Sequence, residues 1–420
     1  MKEKSNKEVL VYAGWHGLKK KQLMGTLYTS RLRGKELFQF EYTPEWIRSK
    51  WSVQIDPELG LYSGRQFPSE ERKNFGVFLD SIPDRWGRQL MQRREAIAAR
   101  EEGRPAVPLF ESDYLLGVFD LQRQGGLRFR LPSGDYFLND DRSLPVPPIS
   151  SLRELEFASL EIERDINNEE LTTRQWINML LAPGSSLGGA RPKAGVLDEN
   201  GQLWIAKFPS RNDDFDKGAW EFVVSQLGKR AGLNMATCKT MKLNSAHHTL
   251  LSRRFDRTTT AERIHFASAM TMLQKKDGDD FSTGTSYLEM VDFIIRNGAN
   301  PYGDLKELWH RVVFSILVSN TDDHLRNHGF LLNEAGWVLS PAYDVNPDPA
   351  GTGLRLNISE FDNSLDTDLA LSVAKYFRLD HTKAKQMLDQ TKTAISTWRH
   401  IATDVGIPLQ EQDRMERAFR

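Results

Sequence analysis

Acidic and amide side chains are concentrated in one stretch of the chain, 314–347, which reads FSILVSNTDDHLRNHGFLLNEAGWVLSPAYDVNP. Within it, Asp322 lies five positions before Asn327, and Asp344 follows further along. Phosphoryl transfer by kinases needs an aspartate that accepts the proton of the substrate hydroxyl, and an asparagine and a second aspartate that hold Mg²⁺. In the protein-kinase catalytic loop the asparagine also lies five positions after the catalytic aspartate. The order of residue types therefore indicates a phosphoryl-transfer site, with Asp322 as the base and Asn327 and Asp344 as metal ligands.

Two other interpretations of this stretch stay open. Asp323 is an alternative base, although it lies only four positions before Asn327. Aspartate and asparagine also favour turns and caps, because their side chains bond to nearby backbone groups. That structural role explains any one of these residues taken alone. Three such groups in this order after an apolar helix favour the functional interpretation.

The elements that would hold these residues are a helix and a hairpin. Bulky apolar residues recur at helical spacing over 309–318, which predicts a buried helix directly before the acidic turn. The short apolar run 329–332 predicts a buried strand, and 337–339 is its expected hairpin partner across a turn. Further along, 369–377 and 384–401 are expected to be packing helices.

A glycine-rich segment precedes the acidic stretch and could bind phosphate groups. Residues 184–193 read GSSLGGARPK and lead into the predicted strands 194–197 and 203–208, the second of which carries Lys207. Glycines let backbone N–H groups approach phosphate oxygens without interference from a Cβ atom. Lys207 would place an ammonium on the phosphates. Glu221, on a predicted helix over 219–231, could pair with Lys207 as in protein kinases, or lie on the surface.

The segment that follows the next predicted strand pair, 241–243 and 249–251, is a candidate linker between two lobes. Phe255 and Asp256 lie where adenine and ribose would bind in a kinase, and an Arg–Asp pair that stabilises a turn explains them equally well. Residues 263–273 are expected to be helical, as are 286–298.

Composition restricts the class of protein. The chain has 420 residues, a formal net charge of −1, 39% hydrophobic and 27% charged residues, which is typical of a globular protein and argues against nucleic-acid binding through bulk charge. The single cysteine, Cys238, excludes an intrachain disulfide framework and a cysteine-clustered zinc site. The N-terminus lacks the apolar core of a secretory signal, and no window has the length of a membrane span. We therefore expect a cytoplasmic protein.

The chain is expected to have an α+β, two-lobed kinase-like fold. Three prolines in the run 144–149 interrupt both helices and central strands and mark a predicted boundary. The predicted domains are an N-terminal subdomain with small antiparallel sheets over 1–148, the remainder of the N-lobe over 149–256, and a mainly helical C-lobe over 257–420.

Several motifs together resemble the HipA family of serine/threonine kinases, the toxins of bacterial toxin–antitoxin pairs. They are SSLGGARPK (185–193), LWIAKF (203–208), SRRFDR (252–257), SNTDDHLRNHGFLL (319–332) and SPAYDVNP (340–347). The opening VYAGWHG and MGTLYT, and LDSIPDRWGRQL (79–90), resemble the N-terminal subdomain of that family. The HRD and DFG motifs of ordinary protein kinases are not matched.

The resemblance implies a set of site residues. The catalytic base matches Asp322, the metal ligands match Asn327 and Asp344, and the regulatory autophosphorylated serine matches Ser186, with Ser185 as second choice. Residues 253–256 match the linker that holds adenine and ribose. His324 is interpreted as bonding the loop backbone, and Arg326 as contacting the substrate or the γ-phosphate. The nucleotide-binding candidates are Lys207, Ser186, Leu187, Gly188, Gly189, Ala190, Lys193, Arg253, Phe255, Asp256, His324, Arg326, Asn327 and Asp344. This chain has Arg191-Pro192 before Lys193, where some members have Gln-Glu or Gln-Pro.

The resemblance also implies ATP and Mg²⁺ as cofactors and a HipB-like helix-turn-helix antitoxin that binds operator DNA. A translation component such as glutamyl-tRNA synthetase is the implied substrate, and bacterial persistence the implied role. Two alternatives remain. One is a catalytically inactive regulator that binds an antitoxin and DNA, since a fold can persist without its activity. The other is a small-molecule kinase of similar fold.

Overall fold

Alternation of apolar and polar residues builds the N-terminal sheet. In the strand Lys7–Ala13, the side chains of Val9, Val11 and Ala13 are fully buried and the residues between them are more exposed, as the two-residue period of a strand requires. Four antiparallel strands form this sheet, with the strand that follows Gly126 at one edge. The computed structural model describes residues 6–32, 34–138, 146–164, 177, 180, 189 and 191–420.

Two compact units divide the chain: residues 1–211 with 256–267, and residues 212–255 with 268–420. The predicted three-part division stays a prediction. The elements of the first unit are β1 (Lys7–Ala13), β2 (Gln22–Leu32), β3 (Lys35–Tyr42), α1 (Pro44–Ile47), α2 (Gly76–Leu79), α3 (Arg85–Glu101), α4 (Glu111–Gly117), β4 (Leu127–Arg130), α5 (Leu152–Arg164), β5 (Lys193–Leu197) and β6 (Leu203–Lys207). The elements that follow are α6 (Lys217–Ala231), β7 (Cys238–Lys242), β8 (His248–Arg253), β9 (His265–Ser268), α7 (Ala269–Met272), α8 (Tyr287–Asn297), α9 (Pro301–Leu317), β10 (Gly329–Asn333), β11 (Gly336–Leu339), α10 (Thr367–Val373), α11 (His381–Ile395), α12 (Trp398–Val405) and α13 (Leu409–Met415).

The glycine-rich segment leads into an antiparallel hairpin, as predicted. Strands β5 and β6 pair from Lys193 opposite Lys207 to Leu197 opposite Leu203. The turn between them is closed by a hydrogen bond from the Gly201 N–H to the Asp198 carbonyl at 3.0 Å. Gly201 has φ +72°, a left-handed conformation that glycine adopts without steric cost.

The predicted helix and hairpin around the acidic stretch are confirmed. Helix α9 begins with Pro301 after the cap Asn300, and its twelve buried residues include most of its last three turns. The hairpin of β10 and β11 pairs Phe330 with Leu339 and turns at Asn333–Gly336. A burial this complete fixes the helix against its surroundings, so the turn that follows has a rigid support.

The predicted helix over 263–273 is wrong in its first half. Residues His265–Ser268 form strand β9 with all four side chains buried, and only Ala269–Met272 are helical, capped by the Ser268 hydroxyl, which accepts from the Thr271 N–H at 3.1 Å. Four consecutive buried residues fit a strand buried on both faces, and local spacing does not reveal such a strand.

Residues 256–267 belong to the first unit because buried polar groups hold them there. The Asp256 carboxylate accepts from the Gly125 N–H at 2.8 Å, and Arg257 donates to the carbonyls of Leu121 and Arg123 at 2.9 and 2.8 Å. Charged hydrogen bonds of this kind are the strong ones when they are shielded from water.

A buried acid in the first unit makes its stability depend on pH. Asp56 is fully buried, and both carboxylate oxygens accept backbone N–H groups, of Glu58 and Val77, at 2.9 Å. Burial outweighs these bonds and raises the pKa of Asp56 to about 6. An unfolded aspartate titrates near about 3.9. The folded state therefore binds the Asp56 proton more tightly than the unfolded state does. The stability that this proton adds to the folded state is fully present below about pH 4 and is lost as the pH rises through about 6.

We expect the Asp56→Asn variant to lack this pH dependence. As the pH rises from 4 to 7, the free energy of unfolding of the wild type should fall by about 2 kcal/mol more than that of Asp56→Asn. Only the wild type has a carboxyl group at this position to ionise. Urea denaturation at both pH values measures the difference. Asp135→Asn, at an exposed aspartate of the same unit, is the control. An equal change in both variants would contradict the role of Asp56.

Candidate active site

The turn after α9 begins in a constrained conformation. Ser319 is fully buried and has φ +48°, a left-handed conformation that few residues other than glycine adopt. Its carbonyl accepts from the Asp348 N–H at 3.1 Å. Arg420 donates its backbone N–H to the Leu317 carbonyl at 3.0 Å and its Nε to the Ser319 hydroxyl at 3.1 Å. The start of the acidic turn is therefore held from two distant parts of the chain.

The two adjacent aspartates of the turn lie in opposite environments. Asp322 is exposed, whereas Asp323 is 3% exposed. One Asp323 oxygen accepts from the Tyr287 hydroxyl at 2.5 Å and from the Ser315 hydroxyl at 3.4 Å. The other lies 3.0 Å from Nε2 of His328. Asp323 is buried and bonded to interior residues, so Asp322 is the aspartate of the pair that a substrate can reach.

The charge of Asp323 is stabilised by these neighbours. Burial, the largest effect, would raise the pKa of Asp323, but the pairing with the His328 ring and the hydrogen bond from Tyr287 outweigh it, so the pKa lies below its ordinary value. Burial and then the Asp323 charge raise the pKa of Tyr287 well above its ordinary value. Asp323 is therefore an anion, and the Tyr287 hydroxyl keeps its proton and donates a hydrogen bond to it. This buried polar network stabilises the acidic turn.

We expect Tyr287→Phe to lower the free energy of unfolding by about 1–3 kcal/mol, since it leaves a buried carboxylate short of a donor. Tyr302→Phe is the matched control, because Tyr302 is 72% exposed in the same unit, and it should change stability by less than about 0.5 kcal/mol. Thermal or urea denaturation of the full chain compares the two. Equal stability in both variants would show that the bond to Asp323 does not support the turn.

Asn327 joins the two other predicted site residues. Its Nδ2 donates to the backbone carbonyl of Asp322 at 3.1 Å and to that of Asp344 at 3.5 Å. The side chain is 7% exposed. Since the amide nitrogen faces these two carbonyls, the orientation of the amide is fixed. The structure therefore brings Asp322, Asn327 and Asp344 together, as their order in the sequence indicates.

Asp344 has the backbone conformation of a strained residue. Its φ is +58°, and non-glycine residues in this region cluster at ligand-binding and catalytic sites. Its Oδ1 accepts from the Asn346 side chain at 3.3 Å, and the Asn346 N–H donates to the Asn320 side chain at 3.1 Å. Asp344 is thus half-buried, with its backbone carbonyl bonded by Asn327 and its carboxylate bonded by Asn346.

The donor set fits Mg²⁺ bound together with a nucleotide. Among the described residues, no group of three or more His, Cys, Asp or Glu side chains is arranged to hold a metal ion. Mg²⁺ is usually bound by one or two carboxylates plus water and substrate phosphates, rather than by an all-protein cage. The oxygens of Asp344 and Asn327 are ligands of that type. When bound, Mg²⁺ would offset negative charge on the phosphate oxygens.

The two remaining candidates of the turn have different neighbours. The His324 N–H donates to the Asp322 carbonyl at 2.9 Å, while its ring Nδ1 is buried with no hydrogen-bond partner in the described part of the chain. The backbone of His324, rather than its ring, therefore makes the loop contact. Arg326 forms an exposed ion pair with Asp277 at 3.3 Å, and its carbonyl accepts from the Tyr343 hydroxyl at 2.6 Å.

The first unit holds the predicted phosphate-binding residues. Lys207 ends β6 and is partly exposed, whereas Lys193 is buried beside Asp84 at 2.7 Å. Gly189 has φ +111°. The other candidates of the glycine-rich segment lie outside the described residues: Ser185, Ser186, Leu187, Gly188 and Ala190.

The predicted linker residues fall in both units. Arg253 is exposed, and the ring of Phe255 packs 5.1 Å from that of Tyr343 in the second unit. Asp256 is 2% exposed in the first unit and is paired with Arg257 at 2.8 Å, so its carboxylate stabilises a turn there, as the structural interpretation of the sequence describes.

The contribution of Tyr287 and His328 to the site was missed from the sequence. Tyr287 lies 36 positions before Asp323, and nothing local connects the two. His328 directly follows Asn327. A histidine placed next to a cluster of acids was the only available signal.

The chain belongs to the HipA-like family. The family model of the HipA-like C-terminal domain matches residues 185–398, a range that includes Lys207 and the acidic turn.

Relatives and a solved structure agree with this assignment. The chain is 23% identical over 253 residues to a candidate kinase of Sinorhizobium fredii, Y4mE, and 30% identical over 136 residues to a candidate kinase of Haemophilus influenzae. These alignments cover 53% and 30% of this chain, and they span only 59% and 40% of those relatives. HipA of Shewanella oneidensis MR-1, solved in complex with HipB and operator DNA, matches with a TM-score of 0.67 at 18% identity, over 98% of this chain and 94% of that one. The likeness confirms the α+β HipA fold.

One further property concerns membranes. Among the described residues, no helix combines the length and apolar character that a membrane span needs.

Proposed function

We propose that this chain is an ATP- and Mg²⁺-dependent protein kinase of the HipA type that phosphorylates serine or threonine. The observation that carries the proposal is the arrangement of the acidic turn. An exposed Asp322 is joined through Asn327 to a strained Asp344, while Asp323 is withdrawn into the interior.

Each residue has a defined role in this proposal. Asp322 orients the acceptor hydroxyl and takes its proton. Asn327 and Asp344 hold the metal, and Lys207 binds the nucleotide phosphates. Arg253 and Phe255 contact the nucleoside, and Arg326 contacts the substrate or the γ-phosphate. Catalysis by such a site consists mainly of positioning and of stabilising charge.

The rest of the proposal follows from family membership. Autophosphorylation at Ser186, or at Ser185, would add a charge of about −1.5 to −2 beside the phosphates and thereby block ATP. A HipB-like antitoxin is the proposed partner, because the Shewanella HipA is bound to HipB and operator DNA. The first protein substrate to test is glutamyl-tRNA synthetase.

The proposal is tested by incubating the full chain with labelled ATP, Mg²⁺ and a bacterial lysate, followed by mass spectrometry of the labelled species. We expect phosphoserine or phosphothreonine on this chain at Ser185 or Ser186 and on a translation protein. Label found only on a small molecule would indicate the small-molecule kinase instead. Nucleotide binding that is absent altogether would favour the inactive regulator.

A further inference from the structure

The N-terminal part of the first unit contacts the glycine-rich segment through a buried ion pair. Nζ of Lys193 lies 2.7 Å from Oδ2 of Asp84, and the two side chains are 4% and 2% exposed. Lys193 is the first residue of β5, directly after the glycine-rich segment, and Asp84 immediately precedes α3. A buried charge needs a partner of opposite sign. Lys193 and Asp84 therefore hold each other in place.

A second contact lies beside the ion pair. The Trp86 N–H donates to the Gly189 carbonyl at 3.4 Å. A Cβ atom added to Gly189 would lie 3.4 Å from Nζ of Lys193, so the backbone of this glycine passes close to the ammonium. The left-handed φ of +111° at Gly189 suits glycine alone. The start of α3, with its cap Asp84 and with Trp86, thus contacts both Gly189 and Lys193.

The ion pair also reduces the repulsion between two lysines that lie opposite each other in a hairpin. Lys193 and Lys207 are directly opposite in the β5–β6 hairpin, and like charges at such positions destabilise a strand pair. Asp84 neutralises Lys193, while Lys207 remains partly exposed. The two lysines therefore have different environments, although the sequence predicts that both bind ATP.

We propose that Asp84 is a positioning residue that anchors Lys193 and the end of the glycine-rich segment, so that Lys207 is the lysine that binds nucleotide phosphate. The inference rests on the proposed function for the nucleotide and replaces a direct phosphate contact of Lys193 with a supporting one. It also gives the N-terminal part of the first unit a role in nucleotide binding.

Asparagine at position 84 isolates the charge from the other role of Asp84. Oδ1 of Asp84 caps α3 by accepting from the Gly87 N–H at 2.8 Å, and asparagine is an equally good cap. Asp84→Asn should therefore keep the helix start and remove the carboxylate charge that lies 2.7 Å from the buried Lys193 ammonium. Adding Lys193→Met removes that ammonium and fills a similar volume, a replacement that is often neutral for a buried pair.

The experiment measures the binding of MgATP to the full chain by calorimetry, with the thermal midpoint of unfolding as a fold check. Asp84→Asn should weaken binding by about tenfold, because removing one partner of a buried ion pair is strongly destabilising and disturbs the groups around the other. The double variant Asp84→Asn/Lys193→Met should bind within about threefold of wild type. Lys207→Met should lower the affinity for MgATP by at least about tenfold, as expected when a charged hydrogen bond is lost.

The outcomes separate this inference from the proposed function. If the double variant binds as weakly as Lys207→Met, Lys193 itself contacts phosphate and the inference is overturned. Unchanged binding in folded Asp84→Asn would overturn it as well. If Asp84→Asn fails to fold, the double variant alone decides between these results. A wild-type chain that binds no nucleotide would overturn the proposed function. In that case the contact between Asp84 and Lys193 is still tested by a double-mutant cycle at positions 84 and 193, measured by thermal unfolding. Coupling between the two changes supports the contact, and additivity contradicts it.

Discussion

Replacing Asp322 with alanine is expected to lower the rate of phosphoryl transfer by about 10²- to 10⁴-fold, the usual contribution of a general base. Asp322 is exposed in the turn that follows the buried helix α9, and its backbone carbonyl, which accepts from Asn327, is unchanged by the substitution. The fold and the affinity for MgATP should therefore be close to those of wild type.

Steady-state phosphorylation measures the expected loss of kcat, and calorimetric titration with MgATP measures the expected unchanged affinity. Asp292→Ala is the matched control, because Asp292 is an exposed aspartate on α8 of the same unit. It should retain wild-type activity. Full activity of Asp322→Ala would rule out this residue as the base. Equal losses in both variants would mean that the assay reports the stability of the unit and not the chemistry.

The choice between the two adjacent aspartates shows what the sequence could predict. Helix α9, the β10–β11 hairpin and the order of Asp322, Asn327 and Asp344 follow from local periodicity and from spacing. The orientation of Asp322 and Asp323 does not, because it depends on Tyr287, a donor 36 positions away. Spacing favoured Asp322, and the distant hydrogen bonds to Asp323 supply the physical reason.

Non-local contacts also explain where the prediction of the fold was wrong. The sequence of 263–273 has helical spacing, yet residues His265–Ser268 form a fully buried strand, because tertiary packing overrides weak local preference. The surroundings of Asp256, a predicted nucleotide contact, also depend on distant residues, because its carboxylate accepts from the N–H of Gly125, 131 positions earlier. No local pattern encodes such a pairing.

Asp344 provides the second large effect, because its variant tests the metal site separately from the base. We expect Asp344→Asn to lower the rate by at least about 10³-fold, since the Mg²⁺ that this carboxylate would hold supplies several kcal/mol of charge stabilisation in the transition state. Asparagine tolerates the left-handed conformation at φ +58°, so the substitution removes the charge with little change in backbone strain. The fold should be retained.

A titration of activity against Mg²⁺ distinguishes this effect from a general loss. In Asp344→Asn, half-maximal activity should require a much higher Mg²⁺ concentration, whereas Asp322→Ala should keep the wild-type Mg²⁺ dependence at its lower rate. Asp348→Asn serves as a control, because Asp348 accepts from the Thr321 hydroxyl at 2.8 Å in the same region without being a predicted ligand. An unchanged Mg²⁺ dependence in Asp344→Asn would exclude Asp344 as a metal ligand, since a residue that only shapes the turn has no means of altering the affinity for the metal alone.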